Sequence, residues 1–159
     1  MNEITLKAIN DILNYSFLIP SYQRGFRWDK IQVIELLDDI YEFIPQRSEG
    51  KEFYCLQPII IKKADDYFRV IDGQQRLTTI FIILSFLNKK RFTIKFETRG
   101  KNNNYLENIT EDINEENIDY YHICNAYKYI KEWFKTKETE EATIADEFYI
   151  TLGKYTKVI

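Results

Sequence analysis

The chain has one histidine, His122, and two cysteines, Cys55 and Cys124, in 159 residues. A single imidazole excludes every site that needs two, His-rich zinc centres and a complete HNH nuclease centre among them. If the protein serves nucleic-acid cleavage of that kind, the cutting centre lies outside this chain. The two cysteines are far apart and match no metal or redox spacing, so they read as reduced, buried small hydrophobes. Long apolar runs are missing as well. None reaches the roughly 18 residues of a membrane span, and the N-terminus lacks the basic and apolar regions of a signal peptide, so a cytoplasmic protein is expected. Positive charge is scarce too: the net charge is −3. Taken alone, that argues against strong sequence-independent binding to a DNA backbone.

What is present is the composition of a folded protein, with 45% hydrophobic and 30% charged residues and room for one core with a helical appendage. The 12 tyrosines and 11 phenylalanines fit such a core and identify no ligand. The charge is unevenly spread. Residues 1–104 carry 16 basic against 13 acidic side chains, and residues 105–147 carry 4 against 12. An anion site therefore belongs in the first two thirds.

Hydrophobic spacing predicts a short helix over Ile4–Leu13, then an irregular stretch containing Pro20 and Gly25. Asp29 is placed to cap a helix whose apolar face includes Val33, Leu37, Ile40 and Ile44, with Pro45 ending it. Gln57–Ile61 and Tyr67–Ile71 read as two strands of a hairpin. The helix from Gln74 to Leu87 is apolar nearly all round and should be the most buried element. Phe92–Phe96 alternates as a half-buried strand does. From Tyr105 onward the chain reads as helical and acidic, with Ile118–Phe134 and Glu138–Leu152 as helices.

The chemistry concentrates where a strand runs through a tight turn into that central helix, at Val70-Ile71-Asp72-Gly73-Gln74-Gln75-Arg76-Leu77-Thr78-Thr79. A helix N-terminus presents unpaired N–H groups and the positive end of the macrodipole, a natural phosphate site. Gly73 permits close backbone approach, Gln74 and Gln75 bring amide donors, and Arg76 brings a planar fork suited to phosphate oxygens. Asp72 could hold Mg²⁺ or orient a water. The plainer alternative has Asp72 capping the helix and Arg76 solvated. A second segment, Ile19-Pro20-Ser21-Tyr22-Gln23-Arg24-Gly25-Phe26-Arg27-Trp28, packs two arginines, a glutamine and three aromatics into ten residues. That mixture can stack on a base and clamp phosphates, although by itself it reads equally as a loop plugging the core.

Together the two segments resemble the N-terminal domains of GmrSD-type type IV restriction systems and related phage-defence proteins. Ile19–Trp28 matches that family's Ile/Val-Pro-x-Tyr-Gln-Arg-x-aromatic-x-Trp signature, and Asp72–Thr79 its Asp-Gly-Gln-Gln-Arg-Leu-Thr-Thr signature. Phe96-Glu97-Thr98-Arg99, Tyr105-Leu106, His122-Ile123, Ala126-Tyr127-Lys128 and Trp133-Phe134 look like its later segments. The resemblance implies an α/β (α+β) fold, a ParB/sulfiredoxin-like small sheet packed with helices and followed by a C-terminal helical segment. It divides the chain into a nucleotide-binding core, 1–104, and the truncated start of a helical region, 105–159.

The function it implies is nucleoside-triphosphate binding and hydrolysis with Mg²⁺, gating a nuclease against foreign or modified DNA. DNA would be met through a full-length protein or a partner, and a C-terminal or separate HNH-type domain would cut. Asp72, Gln75 and Arg76 are the expected catalytic residues, with Tyr22, Gln23, Arg24, Trp28, Gly73, Gln74 and Thr78 binding nucleotide. The rival expectation is a DNA-binding module that reads modified DNA without nucleotide turnover.

Overall fold

The computed structural model of the chain describes residues 7–20, 26–48, 54–55, 59–96, 118–137, 148–149 and 156–158. These form an α/β fold: a mixed four-stranded sheet, a small three-stranded sheet and three α-helices. We name β1 (Lys7–Ala8), β2 (Ser16–Ile19), α1 (Lys30–Ser48), β3 (Tyr54–Cys55), β4 (Ile60–Lys63), β5 (Phe68–Asp72), α2 (Gln74–Phe86), β6 (Thr93–Phe96), α3 (Ile118–Lys137) and β7 (Thr156–Val158).

The main sheet has the order β4-β5-β2-β6. β4 and β5 are the expected hairpin, antiparallel with Ile61 opposite Val70 and Lys63 opposite Phe68. β2 lies parallel to both β5 and β6, with Phe17 opposite Phe68 and Ile94, and Leu18 opposite Arg69 and Lys95. Alternation along each strand separates two faces. Phe17, Ile19, Val70 and Ile94 are buried on one of them. That face belongs to a single hydrophobic cluster with Val33, Leu37 and Ile40 of α1, Leu77 and Ile80–Leu84 of α2, and Ile123, Ile130 and Trp133 of α3.

α2 is buried on all sides from Leu77 to Leu84, as its lack of a polar stripe demands. α1 begins where Asp29 places it. The Asp29 carboxylate accepts the Lys30 N–H at 2.8 Å, and the Gln32 side chain returns to accept the Asp29 N–H at 2.9 Å. The second bond is the returning half of a capping box, and the first joins Asp29 to the adjacent amide. α3 packs against both α1 and α2. Its Trp133 indole N–H donates to Asp38 of α1 at 2.8 Å.

Three local expectations need correction. The helix expected over Ile4–Leu13 is, in its described part, the short strand β1 followed by a 3-10 turn, Ile9–Ile12. Ile9 and Ile12 are both buried there, and a spacing of three suits 3-10 geometry as well as an α-helix. α1 continues through Pro45 to Ser48. Proline within a helix costs one i→i−4 hydrogen bond and crowds the carbonyl four residues back, and α1 continues only three residues beyond it. Ser16–Ile19, assigned to an irregular stretch, is the central strand β2. Of the Glu138–Leu152 helix, only Phe148 and Tyr149 are described, both helical, and the part of the helical reading over residues 105–117 lies outside the described residues. β7 then pairs with β1 and β3, returning the chain to the first half of the fold.

Candidate functional site

Parallel strands expose their C-terminal ends along one sheet edge, where ligands of open α/β sheets bind. β2, β5 and β6 all run out at that edge. β2 ends at Ile19 and β5 at Asp72, so the two motif segments leave neighbouring strands side by side. Residues 21–25, including Tyr22, Gln23 and Arg24, lie outside the described residues.

The first segment is fixed again at its far end. Phe26 is buried in the core. The backbone N–H groups of Arg27 and Trp28 both donate to Gln75 Oε1, at 2.8 and 3.2 Å. One amide oxygen of the second motif thereby holds the end of the first. The Arg27 guanidinium also donates to the Phe26 carbonyl at 2.9 Å. Trp28 is half-buried against the core.

Gly73 makes the turn. It stands before α2 with φ +94°, the left-handed region that glycine enters without penalty. A Cβ there would come within 2.9 Å of Ile59 Cγ1 and 3.1 Å of Ile59 Cα. The close approach read from the sequence is thus filled by the chain entering β4. The Asp72 carboxylate accepts the Gly73 N–H at 3.0 Å, and the Gly73 carbonyl accepts the Leu77 N–H at 3.0 Å, closing the first helical turn. No side chain caps α2 at Gly73, so Asp72 does not cap it in the usual way. Asp72 is exposed, whereas Gln74, Gln75 and Arg76 are half-buried. Arg76 Nε is buried without a hydrogen bond, and the side chain makes other interactions. Thr78 and Thr79 are buried, and the Thr79 hydroxyl donates to the Gln75 carbonyl at 2.9 Å.

Beside the start of α1, just past the first segment, is a residue the sequence reading passed over. The Tyr129 hydroxyl of α3 lies 3.5 Å from Asp29 Oδ1, and the Lys30 ammonium lies 6.0 Å from the centre of its ring. Burial pushes the Tyr129 phenol above the usual tyrosine range, and the Asp29 carboxylate adds to the push. Ile123, Cys124, Ala126 and Ile130 form the buried stripe of α3, and Tyr129, half-buried, falls beside that stripe. Among the described residues, no group of three or more His, Cys, Asp or Glu side chains could hold a metal ion, and no helix is long and apolar enough to cross a membrane.

A family model described as "GmrSD restriction endonuclease, N-terminal domain" matches residues 5–158, nearly the whole chain. No curated protein matches it.

Proposed function

We propose, since this chain belongs to the N-terminal domain family of GmrSD restriction endonucleases, that it binds and hydrolyses a nucleoside triphosphate at the Asp72–Arg76 turn, gating a nuclease outside this chain. The target of that nuclease is foreign or modified DNA. The observation that carries the reading is convergence: both motifs leave the same edge of adjacent parallel strands and are tied together through Gln75. The N-terminus of α2 lies in the second motif, where its dipole and first-turn amides favour phosphate.

In this reading Arg76 and Arg24 neutralise phosphate charge, the Gln74 amide donates, and Tyr22, Gln23 and Trp28 contact the base and sugar. Gln75 positions the first segment, its oxygen being taken by two backbone amides. That leaves Asp72 to orient the attacking water on the γ-phosphoryl group. Thr78, buried in the core, is given no contact. A single exposed carboxylate fits Mg²⁺, which usually takes one or two protein carboxylates and completes its shell with phosphate oxygens and water. Asp72 would hold the ion, which supplies charge neutralisation at the phosphates.

The test is a thermal-shift panel of nucleoside triphosphates with and without Mg²⁺. A ligand at a hundred times its Kd stabilises the folded state by about 2.7 kcal/mol, a readily measured shift. Arg76→Ala should cut the nucleotide-dependent shift by half or more while leaving the unliganded domain folded, a loss of roughly 1.5–3 kcal/mol of binding. A panel in which no triphosphate shifts the wild-type transition overturns the reading and favours a module that meets DNA without nucleotide.

A further inference from the structure

The two motif segments lead into different helices. The first ends at Trp28 and passes through Asp29 into α1, and the second opens α2. Among the described residues, α1 and α2 meet each other far less than either meets α3. α3 is therefore their shared support. Toward α1, Trp133 packs edge-on against Tyr41 with ring centres 5.6 Å apart, and the Lys137 ammonium lies 4.6 Å from the centre of the Tyr41 ring. Toward α2, the rings of Tyr127 and Phe134 lie 5.8 and 5.2 Å from that of Phe86. The contacts with α1 run in step along both helices, from Asp29 with Tyr129 through Asp38 with Trp133 to Tyr41 with Lys137. Tyr129 thus stands at the end nearest the first motif.

The Tyr129 ring is half-buried against the core, and its hydroxyl lies 3.5 Å from Asp29 Oδ1, the oxygen that also accepts the Lys30 N–H. Burial and that carboxylate keep the phenol protonated, so the hydroxyl stays a donor. One residue upstream, the Trp28 N–H is held by Gln75 of the second motif. The chain at Trp28 and Asp29 is pinned from α2 on one side and from α3 on the other. We propose that Tyr129 is a positioning residue of the nucleotide site, through which α3 sets the end of the first motif segment relative to the α2 turn. The inference rests on the nucleotide reading above. At 3.5 Å the contact is longer than an ordinary O–H···O hydrogen bond, so it tunes affinity by a small factor and does not make the site. Linkage is reciprocal: whatever displaces α3 weakens nucleotide binding, and bound nucleotide holds α3 in place.

The experiment measures affinity by isothermal titration calorimetry on the whole chain, with ATP, GTP, CTP and UTP in Mg²⁺ as probes, beside a urea midpoint for each variant. Tyr129→Phe keeps the ring and removes only the hydroxyl. It should raise the Kd of the triphosphate that binds wild type by about 2- to 5-fold, the worth of a modest hydrogen bond, with the urea midpoint nearly unchanged. Tyr127→Phe removes a hydroxyl from the side of α3 that meets Phe86 and should leave Kd as in wild type. In an Asp29→Ala background, which has already lost the acceptor, Tyr129→Phe should have no further effect on Kd. Equal weakening by Tyr127→Phe, an undiminished effect of Tyr129→Phe without Asp29, or a lowered urea midpoint with Kd unchanged would each overturn the proposal, the last by leaving Tyr129 a packing residue. Wild type that binds no triphosphate overturns the nucleotide reading and this inference with it. Wild-type binding that Tyr129→Phe leaves intact overturns the positioning role alone.

Discussion

Gln75 shows how a motif residue can do its work through the backbone of another segment. Its side-chain oxygen accepts the Arg27 and Trp28 amides in a partly buried setting, where losing the acceptor leaves two N–H groups without a partner. Gln75→Ala should therefore cost about 1–3 kcal/mol in urea denaturation. Gln75→Glu retains an acceptor and should cost less. Gln74→Ala, which removes no such acceptor, should stay within about 0.5 kcal/mol of wild type; equal losses at positions 74 and 75 would show that the tie contributes nothing. Gly73→Ala forces a side chain into positive φ and into the backbone of Ile59, so a loss of about 1–3 kcal/mol is expected from the same measurement. The sequence marked both residues as special, but for ligand chemistry. A glycine in a turn announces that something approaches closely, and only the fold shows that the neighbour is Ile59.

Elements with a long periodic signal were legible. The all-round apolar run Leu77–Leu84 is the buried stretch of α2, and the alternation of Phe92–Phe96 is β6 with Phe92 and Ile94 inward. The central strand β2 escaped because Ser-Phe-Leu-Ile is too short to show a period, and parallel strands carry weak alternation in any case. β1, β3 and β7 are two or three residues long, and their pairing depends on partners distant in sequence. The α1–α3 contact was equally hidden, since nothing local links Asp38 to Trp133. That hydrogen bond joins a carboxylate to an indole N–H in a partly buried place. A double-mutant cycle of Trp133→Phe and Asp38→Asn should return a coupling of about 0.5–3 kcal/mol. A coupling indistinguishable from zero would mean that ring packing against Tyr41 and Phe148 holds α3 by itself.

At the scale of the whole molecule, residues on both sides of position 105 share one core. Phe148 is fully buried, with ring centres 5.4 Å from Trp133 and 5.0 Å from Phe134. The cluster that contains them also contains Ile9, Phe17 and Val70. Neither part can expose its side of that cluster without exposing the other's, so the chain should unfold in one cooperative step. Its two tryptophans report on the two parts: Trp28 ends the first motif segment and Trp133 lies in α3. Single-tryptophan variants, Trp133→Phe to observe Trp28 and Trp28→Phe to observe Trp133, separate the two signals. Within each variant, fluorescence should give the same urea midpoint as far-UV circular dichroism. Phe148→Ala, introduced into each, should lower both signals' midpoints together, by an amount equivalent to about 3–5 kcal/mol for a large aromatic removed from a core. If the Trp28 transition instead stayed in place while that of Trp133 moved, the helical region would be a separately stable layer. The site at the sheet edge would then owe nothing to the packing of Phe148.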